Sequence, residues 1–174
     1  MIKKALISVW NKDGLIELAN FLVEHKIEII STGGTAKYLE DNNIDVTPIN
    51  KITGMKSIMD GRVKTLNPKI FGGILADRNN SDHLKALETM EAKEIDLIIV
   101  NLYPFVQEAV KNNLPMDKAI EFIDIGGPSM VRAAAKNYKS VIPLSTIKSY
   151  DLFMCSFSKN KGIIPNEDRI LFAT

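Results

Sequence analysis

"KALISVWNKDGLIELANFLVEHKIEIISTGGTAKYLEDN", residues 4 to 42, switches between two periods. "KALISV" is a short apolar run of strand length. Leu15, Leu18, Ala19, Leu22 and Val23 then recur at helical spacing, "IEII" is again strand-like, and "GGTAKYLEDN" reads as a short helix. Strand, helix, strand, helix is the repeating unit of a parallel sheet with helices on its faces. The order continues outward. "DVTPI" (45–49) is a third, short strand, and Ser81 caps a helix through about Met90. "IDLIIV" (95–100) is a strongly apolar fourth strand. Pro115–Ile123 and Pro128–Lys136 read as helices, "SVIPL" (140–144) as a fifth strand, and Ile147–Phe153 as a further helix. Asn50 to Gly73 holds neither period and is expected to be a long irregular segment. The expected class is α/β, with a mainly parallel sheet covered by helices on both faces.

Ligands of such sheets bind beyond the carboxyl ends of the strands. Ser8, Asn11 and Lys12 follow the first strand, "STGGT" the second, the loop "GRVKTLNPK" (61–69) the third, and "NLYPF" the fourth. Polar and glycine-rich residues therefore gather at one rim. Gly33 and Gly34 let the backbone approach a ligand, and the helix that follows turns its free N–H groups toward it. Ser31, Thr32 and Thr35 add hydroxyls. The loop 61–69 has Arg62, Lys64 and Lys69 and no acid. Arg62 suits a phosphate monoester, and Lys12 and Lys64 complete its neutralisation. A plain tight turn is the competing reading of "STGGT", and solvation that of Lys69. Asn101 offers an amide donor and acceptor to a heterocycle, and Tyr103 a ring and a hydroxyl; a strand-ending turn is the alternative. Asp124 precedes a glycine pair and Pro128, and Lys136 closes "PSMVRAAAK". As plain structure these are a helix cap and a lysine complementing the helix dipole. As a site they are a carboxylate and an amine able to move protons.

The totals narrow the class. The chain has 174 residues, 22 Lys plus Arg against 21 Asp plus Glu, and 45 % hydrophobic residues, which suits one domain with a substantial core. A general nucleic-acid binder would be more basic, so the local cations point to a small anionic partner. Cys155 is the single cysteine, which excludes an intrachain disulfide and suits a cytoplasmic protein. His25, His83 and Cys155 have no ligand spacing, and no metal site is expected. No apolar run is long enough for a membrane span or signal peptide. "PNEDRILFAT" (165–174) opens as a helix and has no stop signal, so truncation at the C-terminal end is expected.

Five blocks, "ALISVWNKDGL", "STGGTAKYL", "GRVKTLNPKIFGGIL", "NLYPF" and "DIGGPSMVRAAAKN", together resemble the inosine monophosphate (IMP) cyclohydrolase domain. That domain is the N-terminal part of a bifunctional purine-biosynthesis enzyme which also carries a transformylase. The resemblance implies a methylglyoxal-synthase-like three-layer sandwich over residues 1–174. It implies closure of the purine ring of 5-formamidoimidazole-4-carboxamide ribonucleotide, with loss of water, to give IMP. No cofactor is implied; the transformylase portion, expected to be absent from this chain, would use 10-formyltetrahydrofolate. Carried onto this sequence, phosphate and ribose contacts fall on Trp10, Asn11 and Lys12, on Thr32, Gly33, Gly34 and Thr35, and on Arg62, Val63, Lys64 and Thr65. Base contacts fall on Asn101, Asp124, Ile125 and Gly126. Lys136 matches the proton donor and acceptor, with Lys64, Tyr103 and Asp124 as helpers. The expected partners are the ribonucleotide substrate and IMP, with a homodimer in the full-length protein and neither nucleic acid nor membrane. Trp10 stands where the family commonly has a small hydroxyl residue, and Asn67 and Phe71 where histidines are common. Methylglyoxal synthase, acting on a triose phosphate, and a non-catalytic nucleotide-binding module such as that of carbamoyl-phosphate synthetase share the fold and are the rival readings.

Overall fold

The computed structural model describes residues 1–56 and 58–174. Five parallel strands form one sheet: β1 (Lys4–Val9), β2 (Glu28–Ser31), β3 (Thr47–Pro48), β4 (Leu97–Asn101) and β5 (Ile142–Leu144). Their order is β3-β2-β1-β4-β5, so β1 is central and the chain switches direction across the sheet at the β1–β4 boundary. Ala5 pairs with Leu97 and Val9 with Asn101, which puts the two strand ends side by side.

Strand alternation divides the core into two layers. Ala5, Ile7, Leu97 and Ile99 face α1 (Leu15–Glu24), α2 (Gly33–Asp41) and α8 (Lys148–Lys159), and pack there with Leu18, Leu22, Leu39 and Phe153. Leu6, Ile30, Ile98 and Val100 face the other way, toward α3 (Ile49–Thr53), α4 (Pro68–Leu75) and α7 (Gly126–Lys136), and pack with Ile70, Ile74, Met130 and Ala134. The expected three-layer α/β sandwich is the observed fold. Of two further helices, α5 (Ser81–Thr89) packs beside α4, and α9 (Asn166–Ala173) lies against β5 and α7, with Phe172 packed against the first cluster.

The stretch Asn50–Gly73, expected to be irregular, is a correction; its Ser57 lies outside the described residues. It holds most of α3, a single 3-10 turn at Met59–Gly61, and the start of α4. Pro68 opens α4 and Asn67 caps it, accepting from the Lys69 N–H at 2.9 Å. The glycines that suggested a break are what let α4 pack: a Cβ on Gly73 would lie 2.4 Å from the Lys93 carbonyl oxygen. Several boundaries also move. β3 shrinks to two residues, α7 starts at Gly126 rather than Pro128, and α8 runs on to Lys159. The expected helix at 115–123 is a short α6 (Met116–Ala119) followed by a 3-10 turn (Ile120–Phe122).

Candidate active site

The carboxyl end of β1 supports one side of the site. Thr35, in the first turn of α2, accepts from the Val9 N–H at 3.2 Å and donates to the Val9 carbonyl at 3.0 Å. Ser31 is fully buried and donates to the Ile7 carbonyl at 2.7 Å. These two hydroxyls, offered by the sequence as ligand donors, are occupied by the β1 backbone. The groups that face outward at "STGGT" are the first-turn N–H groups of α2, at the positive end of its dipole. Gly33 has φ of 56°, the left-handed region that glycine tolerates, and Gly34 has open space where a Cβ would stand.

Two lysines approach this helix end. The Lys12 ammonium donates to the carbonyls of Val9 and Trp10 and lies 3.3 Å from the Thr35 hydroxyl oxygen. Half-burial makes its charged form harder to hold and moves its pKa below the ordinary lysine value. Lys64 comes from the basic loop, and its Nζ is 3.3 Å from where a Cβ on Gly33 would stand. The loop and the glycine turn are far apart in sequence and adjacent in space.

Lys64 also lines a cavity of about 510 Å3 on the α7 side of the sheet, together with Ser8, Thr65, Tyr103, Asp124 and Gly126. Asp124 accepts from the Gly127 N–H at 2.8 Å, so it caps α7 and keeps a second carboxylate oxygen. Thr65 is buried, and its hydroxyl lies 2.5 Å from where a Cβ on Gly126 would be, so only glycine fits there. Arg62 is at the rim, paired with Glu121. Val63 forms an antiparallel bridge with Ile58, and Ile125 is exposed at the start of α7.

Asn101 is engaged in a different way from its sequence reading. Its Oδ1 accepts from the N–H groups of Trp10 and Asn11 at 2.7 and 2.9 Å, and its Nδ2 donates to the Asn11 carbonyl at 2.8 Å. The amide thus ties the β1–α1 loop to the end of β4. Lys136 is at the far end of α7, about 15 Å along the helix from Gly126 by the rise per residue. It is exposed and does not line the cavity. Ser8, named at the rim by the sequence reading, is on the same strand face as Leu6 and lines the cavity; Glu121 and Phe122 were missed and carried no signal. A second depression of about 730 Å3 opens beyond the ends of β1 and β4, lined by Trp10, Lys12, Asn101, Leu102, Ile147 and Lys148. Lys64, Tyr103 and Asp124 are not among its walls. Among the described residues no group of three or more His, Cys, Asp or Glu side chains is arranged to hold a metal, and no helix is long and apolar enough to cross a membrane.

A family model described as an MGS-like domain matches residues 14–129. The chain belongs to the MGS-like domain family. The MGS-like match takes in the α2 turn, the basic loop, "NLYPF" and the first turn of α7, and leaves out Trp10 to Lys12 and Lys136. The bifunctional purine biosynthesis protein PurH of Brachyspira hyodysenteriae is 50 % identical over 161 residues, 92 % of this chain and 32 % of that protein. PurH of Clostridium perfringens is 54 % identical over 163 residues, 94 % of this chain and 32 % of that protein. The match is to their N-terminal part. The chain spans about a third of the length of these curated relatives. The crystal structure of ForH superposes with a TM-score of 0.85 at 32 % identity, covering 98 % of this chain and 87 % of that one.

Proposed function

We propose that this MGS-like chain is an IMP cyclohydrolase, closing the ring of 5-formamidoimidazole-4-carboxamide ribonucleotide. One observation carries the reading: Lys64 stands over the first turn of α2 and lines the same cavity as Tyr103 and Asp124. A phosphate-holding end and an acid–base end are thus within reach of one ribonucleotide. The phosphate is held by the α2 N–H groups, Lys12 and Lys64, and the planar ring lies toward Tyr103, Asp124 and Gly126. The purine-biosynthesis names of the relatives support the same reading.

In the reaction the carboxamide nitrogen bonds to the formyl carbon. One hydrogen leaves that nitrogen, another leaves the formamide nitrogen, and the formyl oxygen departs with both as water. The free carboxylate oxygen of Asp124 accepts the carboxamide proton. Negative charge growing on the formyl oxygen calls for a cation. Lys136, implied by the resemblance as proton donor and acceptor, stands away from the cavity of its own chain, so its role requires a second copy to bring it. Leu102, Phe105, Val106, Ile120 and Ile125 are exposed around this end of the molecule, in keeping with a homodimer.

Spectroscopic single-turnover cyclisation, with IMP binding measured in parallel, tests the reading. Lys64→Ala is expected to weaken IMP binding by about 1.5–3 kcal/mol, as for a lost charge-assisted bond. Lys136→Ala is expected to lower the rate on the order of 10²-fold with little change in affinity. Mixing Lys136→Ala with Asp124→Ala is expected to restore turnover through mixed dimers. Full turnover in Lys136→Ala removes that residue from the mechanism, and no cyclisation by the unaltered chain rejects the function.

A further inference from the structure

We infer that Trp10 is a positioning residue that fixes the ring of Tyr103 in the cavity, an inference that rests on the cyclohydrolase reading. Tyr103 is 43 % exposed and lines the cavity beside Asp124 and Lys64. Among the described residues no hydrogen bond holds its hydroxyl, so its orientation depends on what its ring touches. Two rings touch it. Trp10 lies on it with centroids 4.6 Å apart at 43°, and Phe122 meets it edge-on at 6.3 Å and 82°. The closer partner is also the better anchored. The Trp10 N–H donates to Asn101 Oδ1 at 2.7 Å, and the Trp10 carbonyl accepts from Lys12 Nζ at 3.2 Å. Asn101 is itself at the end of β4, paired with Val9 of the central strand.

Among the described residues the indole belongs to neither main core cluster, and 41 % of the residue is exposed. A large apolar side chain kept at the rim, outside the core, against a cavity residue is explained by that contact. The order of support is then sheet end, Asn101 amide, Trp10 backbone, indole, Tyr103 ring. A small residue at position 10 preserves both backbone bonds and removes only the last link.

The experiment is a double-mutant cycle on cyclisation, with KM, kcat and IMP affinity measured for each protein. Trp10→Ser is expected to lower kcat about 3- to 10-fold, the range of an aromatic pair, with KM and IMP affinity within about twofold. Trp10→Phe is expected to recover most of the loss. In a Tyr103→Ala background Trp10→Ser is expected to add nothing, because the group it positions is gone. Trp10 is the single tryptophan, so its emission reads the contact directly, and Tyr103→Ala is expected to shift it without ligand. Unchanged kcat in Trp10→Ser, or losses that simply multiply in the double variant, overturns the assignment while the cyclohydrolase reading stands. Absence of turnover in the unaltered chain overturns both, and an emission unmoved by Tyr103→Ala overturns the contact itself.

Discussion

Lys12 carries its charge in a half-buried position, held against two backbone carbonyls at the end of β1. Desolvation makes its ammonium lose a proton at a lower pH than an ordinary lysine. Below that pH the group is a cation and attracts a phosphate; above it the group is neutral. Affinity for IMP is therefore expected to fall as pH rises, beginning below the usual lysine range. Replacing Lys12 with Gln should weaken binding at neutral pH and flatten the alkaline limb. Isothermal titration across the pH range checks both, and an alkaline limb of the same midpoint in Lys12→Gln assigns the titration to another group. The hydroxyls of Ser31 and Thr35 show the reverse case. They are the right residues at the strand ends, yet the nearest backbone groups satisfy them first.

Helix α4 shows how an element can be hidden by its own packing residues. Its exposed face carries little pattern, and Gly72 and Gly73 lower its intrinsic helix propensity. Packing restores what propensity lacks: Ile70 and Ile74 are both fully buried one turn apart, and the helix lies close to the chain entering β4. The two glycines are not equivalent. A Cβ on Gly73 meets the Lys93 carbonyl oxygen at 2.4 Å, a backbone atom with no rotamer to change. One on Gly72 meets the Met90 Cε at 2.9 Å, the far end of a flexible side chain. Gly73→Ala is expected to destabilise by about 1–3 kcal/mol through overpacking. For Gly72→Ala the gain in helix propensity, about 1 kcal/mol, offsets the shift of Met90. Urea unfolding of both variants tests the contrast; equal stabilities contradict this packing account.

Across the whole molecule, the aromatic core and the acid–base cavity belong to different layers. Phe153 of α8 is fully buried among Phe21, Phe157 and Phe172, on the α1 side of the sheet. The 510 Å3 cavity opens on the α7 side. Phe153→Ala is expected to cost about 3–5 kcal/mol of stability. IMP affinity, measured where the variant is still folded, should remain close to that of the unaltered chain, because Phe153 does not line the cavity. A parallel collapse of affinity and stability would show that the layers are coupled through β1.

The class of fold was legible because alternation of strand and helix periods is a local property of the chain. Residues 4 to 42 state it within one continuous stretch. The rim residues were legible for the same reason, since every strand end in a parallel sheet points to one edge. The pairing of those residues was not local. Lys64 over Gly33, Thr65 against Gly126 and Trp10 on Tyr103 join positions 31, 61 and 93 residues apart. Only the strand order β3-β2-β1-β4-β5 brings them together. The same order decides which polar groups are left for a ligand. Asn101 is tied to the β1–α1 loop because β4 lies beside β1, and Lys136 is carried away from Asp124 because α7 is 11 residues long. Side-chain chemistry is written residue by residue, whereas the competition for hydrogen-bond partners is settled by which backbone happens to be nearest.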